Sequence, residues 1–392
     1  MKILSVNAGS SSLKFQLYEM PEEKVLINGY IQKIGASDSF YYVKINGEKI
    51  TKSAPINNHE DAVNILIKEL LENKIINSLE EIEGVGHRLV HGGDKYPDSC
   101  IIDEDVINQC ELLKDLAPLH VPANILCVRA FKKLIPNAIQ VAVFDTAFHQ
   151  TIDEEKFRYA IPNEWYTKYG IRKYGFHGTS HKYISGKVKE ILGKDEYKTI
   201  ICHIGSGASI SAVKNGKCID TTMGFTPNSG VVMGTRSGDI DYGIIPYIMR
   251  KTDMTLQEVD NILNKKSGLL GISEVSNDWR DVYSALLSGS EKAKLASEIM
   301  FNSISGYIGK YFVELGGCDA LVFTAGLGEN ATYVREKICE RLECLGIKIN
   351  KEVNDELIGK EGLISTDDSN IKVYVIPTDE EVVIARDTYN LK

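Results

Sequence analysis

Residues Ile3–Glu19, ILSVNAGSSSLKFQLYE, predict two strands joined by a corner of small residues. An apolar run comes first, Gly9 with an alanine and three serines forms the corner, and the second strand alternates apolar and polar residues. Small hydroxyl residues beside a glycine let backbone N–H groups converge on an anion. Lys14 follows the corner, so its charge could reach the same anion. Taken alone, however, the stretch is also an ordinary serine-rich hairpin.

A second copy of the pattern favours the anion site. Residues Thr199–Lys217, TIICHIGSGASISAVKNGK, again read as an apolar strand, a Gly-Ser-Gly corner and an apolar strand. They end on Asn215-Gly216, a dipeptide typical of two-residue hairpin turns. Two such units about two hundred residues apart indicate a duplicated domain with two phosphate-facing corners. We expect these corners to hold the two ends of a polyphosphate across a cleft.

Composition limits the class of protein. The 392 residues suffice for two domains, and 43% hydrophobic with 25% charged residues is typical of a globular protein. The net charge of −9 argues against nucleic acid as a partner. No apolar run approaches membrane-spanning length and no signal-peptide core follows Met1, so we expect no membrane partner. Eight scattered cysteines without a C-x-x-C pair indicate reduced thiols and a cytoplasmic location.

Strands and helices alternate along both halves, which predicts α/β domains with ligands at the carboxyl ends of the strands. The pattern places one domain at residues 1–149 with 379–392 and the other at 150–378. Seven of the eight histidines lie between His87 and His203, a clustering that scattered core histidines would not produce.

Three charged side chains stand where a site is expected. Arg88 in GHRLVHGG ends a strand, and Arg236 lies in the glycine-rich loop MGTRSGDID. Either guanidinium could clamp a carboxylate or phosphate with a bidentate fork, although Arg88 could equally form a structural ion pair. Asp145 in VFDTAFH ends a buried strand, and its alternative role is to cap the next segment.

Two further segments suit phosphates. His177 and His181 are four residues apart at the start of a helix, where an anion is favoured more than a metal because no third ligand is evident. Gly326–Asn330 follows a buried strand and opens a helix. It is not G-x-G-x-x-G, and no G-x-x-x-x-G-K-[ST] occurs, which excludes a Walker P-loop and argues against a dinucleotide site. The tyrosines and phenylalanines are interpreted as core.

With these segments in view, the chain resembles the acetate kinases of the acetate and sugar kinase/actin/heat-shock chaperone superfamily. The resemblance runs nearly end to end and includes the motifs SVNAGSSSLKF, GHRLVHGG, APLH, VFDTAFH, YGFHGTSH, MGFTP, GTRSGDID, AGLGEN and IPTDEE. It implies an α/β fold of two duplicated actin-like (ribonuclease H-like) domains flanking an active-site cleft. It also implies reversible phosphoryl transfer from ATP to acetate, giving acetyl phosphate and ADP, and a homodimer.

The resemblance assigns roles to individual positions. The metal positions, for Mg²⁺ with Mn²⁺ as an alternative, are Asn7 and Glu380. The catalytic positions are Arg88, Asp145, His177 and Arg236. The positions for the substrate are Arg88, Val90, Leu119, His120, Phe176 and Pro227. The positions for the nucleotide, ATP or ADP, are Lys14, His203, Ile204, Gly205, Ser206, Gly207, Asp278, Trp279, Arg280, Gly326, Leu327, Gly328, Glu329 and Asn330. Ser206 stands where the family usually has Asn.

Elementary chemistry agrees with these roles. A carboxylate with a pKa of about 4 to 5 is ionised at neutral pH, so the nucleophile needs no general base. Catalysis then depends on alignment and on neutralising the phosphoryl group in transit. Asp145 is therefore expected to orient Arg236 or magnesium-bound water. The alternatives are a propionate kinase with the same mechanism and, in another class, an actin- or chaperone-like ATPase without a carboxylate substrate.

Overall fold

The structure is a computed structural model that describes residues 1–117 and 120–392. Its internal contacts divide the chain into two compact units. The N-terminal unit contains Met1–Phe148 and Asp379–Lys392, and the C-terminal unit contains His149–Thr378. Over the two described ranges, no helix is both long enough and apolar enough to cross a membrane.

The N-terminal unit is an eight-stranded mixed sheet with helices. Its strands are β1 (Lys2–Ala8), β2 (Ser12–Glu19), β3 (Lys24–Gln32), β4 (Phe40–Ile45), β5 (Glu48–Ser53), β6 (Ile82–Leu89), β7 (Cys100–Ile101) and β8 (Ile139–Phe144). Its helices are α1 (His59–Glu72), α2 (Glu104–Leu112), α3 (Val121–Leu134) and the C-terminal helix (Glu380–Asn390), with a 3-10 turn at Leu79–Glu81. The strand order is β5-β4-β3-β2-β1-β6-β8-β7.

Helices cover this sheet on both faces. Apolar residues of α1 and α3 form one core cluster with alternate residues of β1 and β2, including Leu4 and Phe15. On the opposite face, Ile384 of the C-terminal helix packs against Val141 and Val143 of β8. Gly86 of β6 allows the C-terminal helix to approach, because a Cβ there would stand 2.5 Å from a methyl group of Ile384. The sheet is therefore sandwiched, as an α/β unit requires.

The C-terminal unit has a six-stranded mixed sheet. Its strands are β9 (Lys198–Ile204), β10 (Ala208–Lys214), β11 (Lys217–Thr221), β12 (Ala320–Thr324), β13 (Gly362–Leu363) and β14 (Lys372–Val375). Its helices are α4 (Glu154–Phe157), α5 (Asn163–Tyr169), α6 (Gly178–Leu192), α7 (Ile244–Thr252), α8 (Leu256–Lys265), α9 (Gly268–Ser273), α10 (Trp279–Leu287), α11 (Glu291–Leu315), α12 (Ala325–Asn330), α13 (Thr332–Glu340) and α14 (Lys351–Glu356). Further 3-10 turns are Ala147–Thr151 and Glu343–Leu345.

The two sheets share one topology. In each, three antiparallel strands (β3-β2-β1 and β11-β10-β9) are followed by two strands parallel to the third (β6-β8 and β12-β14) and by a short antiparallel edge strand. The predicted duplication is therefore confirmed, and the chain has a two-domain actin-like α/β fold. The predicted turn at Asn215-Gly216 is also present, and Asn215 adopts a φ of 52°.

Two helices of the structure begin at positions that the local sequence explains. α2 begins after its N-cap Asp103 and ends at Leu112, and Val106, Ile107 and Cys110 are its buried residues. The segment Gly326–Asn330, predicted to open a helix, lies in the short helix α12, which Ala325 begins with a φ of 64°.

Candidate active site

Three polar side chains of the N-terminal unit meet at the carboxyl ends of neighbouring parallel strands. Asn7 of β1 lies opposite Arg88 of β6 and Lys14 of β2 in the sheet register. Asp145 directly follows β8, which pairs with β6 in parallel. In an open α/β sheet this edge is where ligands bind. The topology thus gathers residues that are far apart in sequence.

Arg88 is tied to carboxylates of its own unit. Its Nη2 and Nε donate to Asp145 Oδ2 and Oδ1 at 2.7 and 3.3 Å, and its Nη1 donates to Asn7 Oδ1 at 3.2 Å. Glu380 Oε2 lies 3.8 Å from Nε. Burial alone would lower the pKa of Arg88, but the charges of Asp145 and Glu380 outweigh it and raise that pKa. The structural ion pair that sequence analysis left open for Arg88 is present, and it is Arg88 that pairs with Asp145.

Acidic side chains accumulate at the start of the C-terminal helix. Burial raises the pKa of Glu380 to about 7, opposed by Arg88 and reinforced by the charges of Asp145 and Glu381. Lys14 Nζ forms an ion pair with Glu381 Oε1 at 2.6 Å. Burial would lower the pKa of Lys14, yet the carboxylate of Glu381 raises it. Lys14, predicted to contact nucleotide, therefore has an acidic partner within its unit.

This cluster fits a hard divalent cation. Asn7 offers an amide oxygen and Glu380 a carboxylate, the ligand type that Mg²⁺ prefers, and Mg²⁺ commonly takes few protein ligands. Burial, reinforced by the charges of Asp145 and Glu381, raises the pKa of Glu380, and a bound cation would stabilise its ionised carboxylate. Among the described residues, no group of three or more His, Cys, Asp or Glu side chains is arranged to hold a metal. The predicted metal positions, Asn7 and Glu380, supply one amide and one carboxylate, so they do not form such a group of three.

Besides Arg88, the residues predicted to bind the substrate are divided between the units. Val90 and His120 belong to the N-terminal unit, Phe176 and Pro227 belong to the C-terminal unit, and Leu119 lies outside the described residues. Val90 is buried, and its backbone N–H donates to Asn124 Oδ1 at 3.2 Å.

Asn124 was missed by the sequence analysis. Its Nδ2 donates to the carbonyl oxygen of Ala8 at 2.8 Å. The side chain therefore connects the glycine corner after β1 to the segment after β6. A single Asn within an apolar helix carried no sequence signal for this role, because both of its partners are distant along the chain.

The second glycine corner lies between β9 and β10. Gly205 N–H donates to Gly207 O at 3.0 Å, which closes the turn. A Cβ on Gly207 would stand 3.4 Å from Arg236 Nη1 and 3.6 Å from His177 Nε2. The corner, His177 and Arg236 therefore lie close together in the C-terminal unit. From the sequence, the corner was predicted to bind the nucleotide and the two side chains to be catalytic.

Histidine rings pack together behind this corner. His177 is the N-cap of α6 with a φ of 59°, a left-handed conformation that is rare for residues other than glycine and concentrates at functional sites. The ring of His203 stacks on it with centroids 4.1 Å apart. His149 Nε2 bonds the carbonyl oxygen of Phe176 at 2.9 Å, which holds the chain just before His177. The clustered histidines in the sequence thus include a packed group.

Arg236 differs from Arg88 in its partners. Its Nη1 donates to the carbonyl oxygen of Pro227 at 3.1 Å and contacts Met233 Sδ at 3.5 Å. Within residues 149–378, no acidic side chain pairs with it. Burial lowers the pKa of Arg236. A guanidinium partly removed from water without a counter-ion is a strong site for an anion.

A cavity of about 590 Å³ adjoins the same corner. Three segments predicted to bind nucleotide line it: the corner at 204–206, the start of α10 at 278–280, and α12 with its following residues. The predicted contacts that line the cavity are Ile204, Gly205, Ser206, Asp278, Trp279, Arg280, Gly326, Leu327 and Asn330. The cavity lining does not include His203, Gly207, Gly328 or Glu329.

Gly328 and Glu329, which do not line the cavity, contact the backbone around α12. A Cβ on Gly328 would stand 3.2 Å from the backbone of Phe323. Glu329 Oε1 accepts from the backbone N–H groups of Ala325 and Thr378 at 2.8 and 3.1 Å. At the cavity mouth, the guanidinium of Arg280 lowers the pKa of Asp278 to about 2 through a hydrogen bond.

Aromatic rings form one wall of the cavity. Trp279, Tyr283 and Tyr333 line it, with the two tyrosine rings 5.0 Å apart and the indole stacked on both. The interpretation of the tyrosines as core is therefore wrong for Tyr283 and Tyr333. It is also wrong for the exposed Tyr169, Tyr242 and Tyr247. Flat apolar walls with a few polar groups are typical of small-molecule sites.

Comparisons with known proteins agree with this geometry. The model of the acetokinase family matches residues 2–386. The chain belongs to the acetokinase family. It is 53% identical over 392 residues to a protein of Geobacillus sp. (strain WCH70) named acetate kinase, covering 100% of this chain and 98% of the relative.

Two solved structures are similar over their whole length. The Porphyromonas gingivalis acetate kinase is 46% identical with a TM-score of 0.94, covering 100% of this chain and 99% of the other. A propionate kinase from Francisella tularensis is 42% identical with a TM-score of 0.94, covering 100% of both chains. These likenesses confirm the resemblance seen in the acetokinase motifs.

Proposed function

We propose that this chain is an acetate kinase, which transfers the terminal phosphoryl group of ATP to acetate by reversible, direct in-line displacement. A phosphotransferase with a carboxyl group as acceptor is what the family and its full-length relatives support. The observation that carries the mechanism is Arg236. This half-buried guanidinium lies with His177 at a glycine corner, and no acidic side chain of its unit pairs with it.

On the acceptor side, Arg88 binds the acetate carboxylate, and Val90, Leu119, Phe176 and Pro227 form the apolar pocket for its methyl group. His120 is a further substrate-binding residue. The fork of Arg88 is already oriented by Asp145 and Asn7. Because acetate is ionised at neutral pH, Asp145 acts by holding Arg88 and not by accepting a proton. The expectation that Asp145 orients Arg236 or magnesium-bound water stays a prediction.

On the donor side, the nucleotide occupies the cavity, with its base against the aromatic wall of Trp279, Tyr283 and Tyr333. The phosphates follow the corner at 203–207, where backbone N–H groups and the hydroxyl of Ser206 can donate hydrogen bonds. His177 and Arg236 neutralise the phosphoryl group in transit. Asn7 and Glu380 hold Mg²⁺ or Mn²⁺, which when bound supplies positive charge to the phosphate oxygens.

A propionate kinase is the second candidate, since the Francisella neighbour with that name is as similar in fold as the acetate kinase neighbour. Valine at position 90 favours acetate, but one methylene changes binding by only about 1–3 kcal/mol. The alternative of a nucleotide hydrolase without a carboxylate substrate does not explain why the proposed site contains both Arg88 and Arg236.

Two further assignments accompany the activity. We propose a cytoplasmic enzyme, supported by eight free cysteines. We also propose a homodimer, supported by the apolar surface at α7, which has no buried residue and exposes Ile244 and Tyr247 beside Tyr242. Sedimentation of the wild type and of Tyr242→Glu tests the dimer, which the substitution should weaken. A monomeric wild type would refute it.

The decisive experiment traps the acyl phosphate with hydroxylamine in the presence of ATP and Mg²⁺, comparing acetate, propionate and butyrate. We expect hydroxamate from acetate at the highest kcat/KM, and less from propionate. A higher kcat/KM for propionate would favour the second candidate. ATP hydrolysis that no carboxylate alters, without hydroxamate, would overturn the proposal.

A further inference from the structure

Asp239 closes the loop that carries Arg236 onto itself. Its Oδ1 accepts from the backbone N–H of Gly230 at 2.7 Å and from Ser229 Oγ at 3.1 Å. Its own backbone N–H donates to the carbonyl oxygen of Gly230 at 2.8 Å. The two ends of the segment 229–239 are therefore joined by bonds in both directions. We call this contact of Asp239 with Ser229 and Gly230 the clasp.

The clasp is attached to a helix and to the end of a strand. The phenol of Tyr307, on α11, donates a hydrogen bond to Asp239 Oδ2. Burial and the carboxylate of Asp239 raise the pKa of Tyr307, so its hydroxyl keeps the proton that it donates. Gly230 adopts a φ of 99°, and a Cβ there would stand 2.7 Å from Cβ of Thr222, just after β11. The clasp is thus anchored on two sides.

The clasp lies beside the contact that orients Arg236. Arg236 Nη1 donates to the carbonyl oxygen of Pro227 at 3.1 Å. Pro227 comes two residues before Ser229, and Arg236 comes three residues before Asp239, so both partners of this contact adjoin the clasp. An open clasp would no longer hold the Pro227 carbonyl opposite the guanidinium. Orientation matters for a reacting group, because a misplacement of about 1 Å can lower a rate by about 10²-fold.

We infer that Asp239 is a positioning residue, which holds Arg236 in place through the clasp. Three donors reach its one carboxylate, and hydrogen bonds to an ionised acceptor are stronger than those between neutral groups. The clasp also holds Pro227, a proposed substrate-binding residue, beside the charge that meets the phosphoryl group. The inference rests on the proposed function for the role of Arg236, whereas the clasp itself does not depend on that function.

Hydrogen exchange tests the clasp without any substrate. In Asp239→Ala the amide of Gly230 loses its acceptor, so mass spectrometry with fragmentation to single residues should find its exchange faster by about tenfold or more. Asp195→Ala removes another exposed acid, one that pairs with Lys189, and should leave the Gly230 amide unchanged. Unchanged exchange of this amide in Asp239→Ala would overturn the inference.

Kinetics test the effect on Arg236. Asp239→Ala should lower kcat about tenfold. Asp239→Asn keeps an oxygen for Gly230 and a polar partner for Tyr307, so its kcat should stay within about threefold of the wild type. In an Arg236→Ala background, Asp239→Ala should lower kcat by less than about twofold more, because residues that act through one group are not additive. Additive losses, or a wild-type kcat in Asp239→Ala, would overturn the inference.

A second variant and the comparison of readouts separate this inference from the proposed function. Thermal unfolding checks that Asp239→Ala is folded. If it is not, Tyr307→Phe removes only the bond from α11, and unchanged Gly230 exchange and kcat in that variant would overturn the inference. If Arg236→Ala keeps full activity while exchange at Gly230 rises in Asp239→Ala, the proposed role of Arg236 fails and the clasp stands.

Discussion

Arg88 and Arg236 are the two arginines of the proposed site, and they have opposite surroundings. Arg88 is already neutralised by Asp145 and approached by Glu380. Arg236 has only a carbonyl oxygen and a thioether as partners in its unit. The charge of Arg236 is therefore the more available one for a phosphoryl group, whereas Arg88 offers a pre-oriented fork.

Arg236→Ala should lower kcat by about 10³ or more, because loss of an arginine that stabilises a phosphoryl group in transit has that effect. Steady-state hydroxamate formation measures it, and thermal unfolding should show a folded variant. Arg129→Ala removes an exposed arginine and is the control, with unchanged kcat expected. A kcat within threefold of the wild type in Arg236→Ala would contradict this role.

Asp145→Asn keeps the shape of the side chain but removes the charge that pairs with Arg88 at 2.7 Å. An amide cannot accept two hydrogen bonds from the guanidinium in the same way, so the fork loses its fixed orientation. We expect a higher KM for acetate and a kcat lower by about 10², with KM for ATP little changed. Near-normal turnover and acetate KM in this variant would show that Asp145 does not position Arg88.

At the scale of elements, α12 of the proposed nucleotide site is supported by a buried arginine. Arg335 of α13 is fully buried and donates five hydrogen bonds, none of them to a carboxylate. Two of them reach the carbonyl oxygens of Gly328 and Glu329 at 3.0 Å. Burial lowers the pKa of Arg335 to about 10. Those bonds satisfy carbonyls that the end of a short helix leaves without partners.

Arg335→Met should lower the free energy of unfolding by about 3–5 kcal/mol, because several buried carbonyls and an amide lose their donor. Because α12 loses its hydrogen bonds from Arg335, the KM for ATP should also rise, and by more than the KM for acetate. Urea unfolding and steady-state kinetics measure the two effects. Arg341→Met is the matched control, since Arg341 ends the same helix but pairs at the surface with Glu298. Equal stability of the two variants would refute the support role.

Local sequence signals account for the strands, the hairpins and the gathering of charged residues at strand ends. Asn215-Gly216 and the alternation in β2 are visible within a few residues, so they could be predicted. Tyr283 and Tyr333 could not be placed on a cavity wall, because they meet only through the packing of α10 against α13. Arg335 and Asn124 were likewise missed, since their partners are carbonyl oxygens and backbone groups of distant segments.

At the scale of the whole molecule, the two copies of the fold carry different charged side chains at their equivalent glycine corners. The corner after β1 is accompanied by three carboxylates and two cations, so the excess of negative charge suits a further cation. These groups are Asp145, Glu380, Glu381, Arg88 and Lys14. The corner after β9 is accompanied by His177 and Arg236, which suit an anion. We propose that one topology serves two kinds of ligand, and that the difference comes from side chains at the strand ends and not from the backbone. This division agrees with a reaction that needs both a metal and a phosphate site.

The same burial that shapes the sheets makes the chain sensitive to acid. His87 of β6 is buried against Phe131 and Gln140, and burial lowers its pKa to about 4. In the unfolded chain His87 binds a proton near pH 6.5, so the unfolded state gains protons first as pH falls. The stability present above pH 6.5 is therefore lost between about 6.5 and 4, by roughly 3 kcal/mol from this group. His87→Gln removes it, so its unfolding free energy, measured in urea, should fall less steeply over that range. Parallel pH slopes for the two proteins would contradict this prediction.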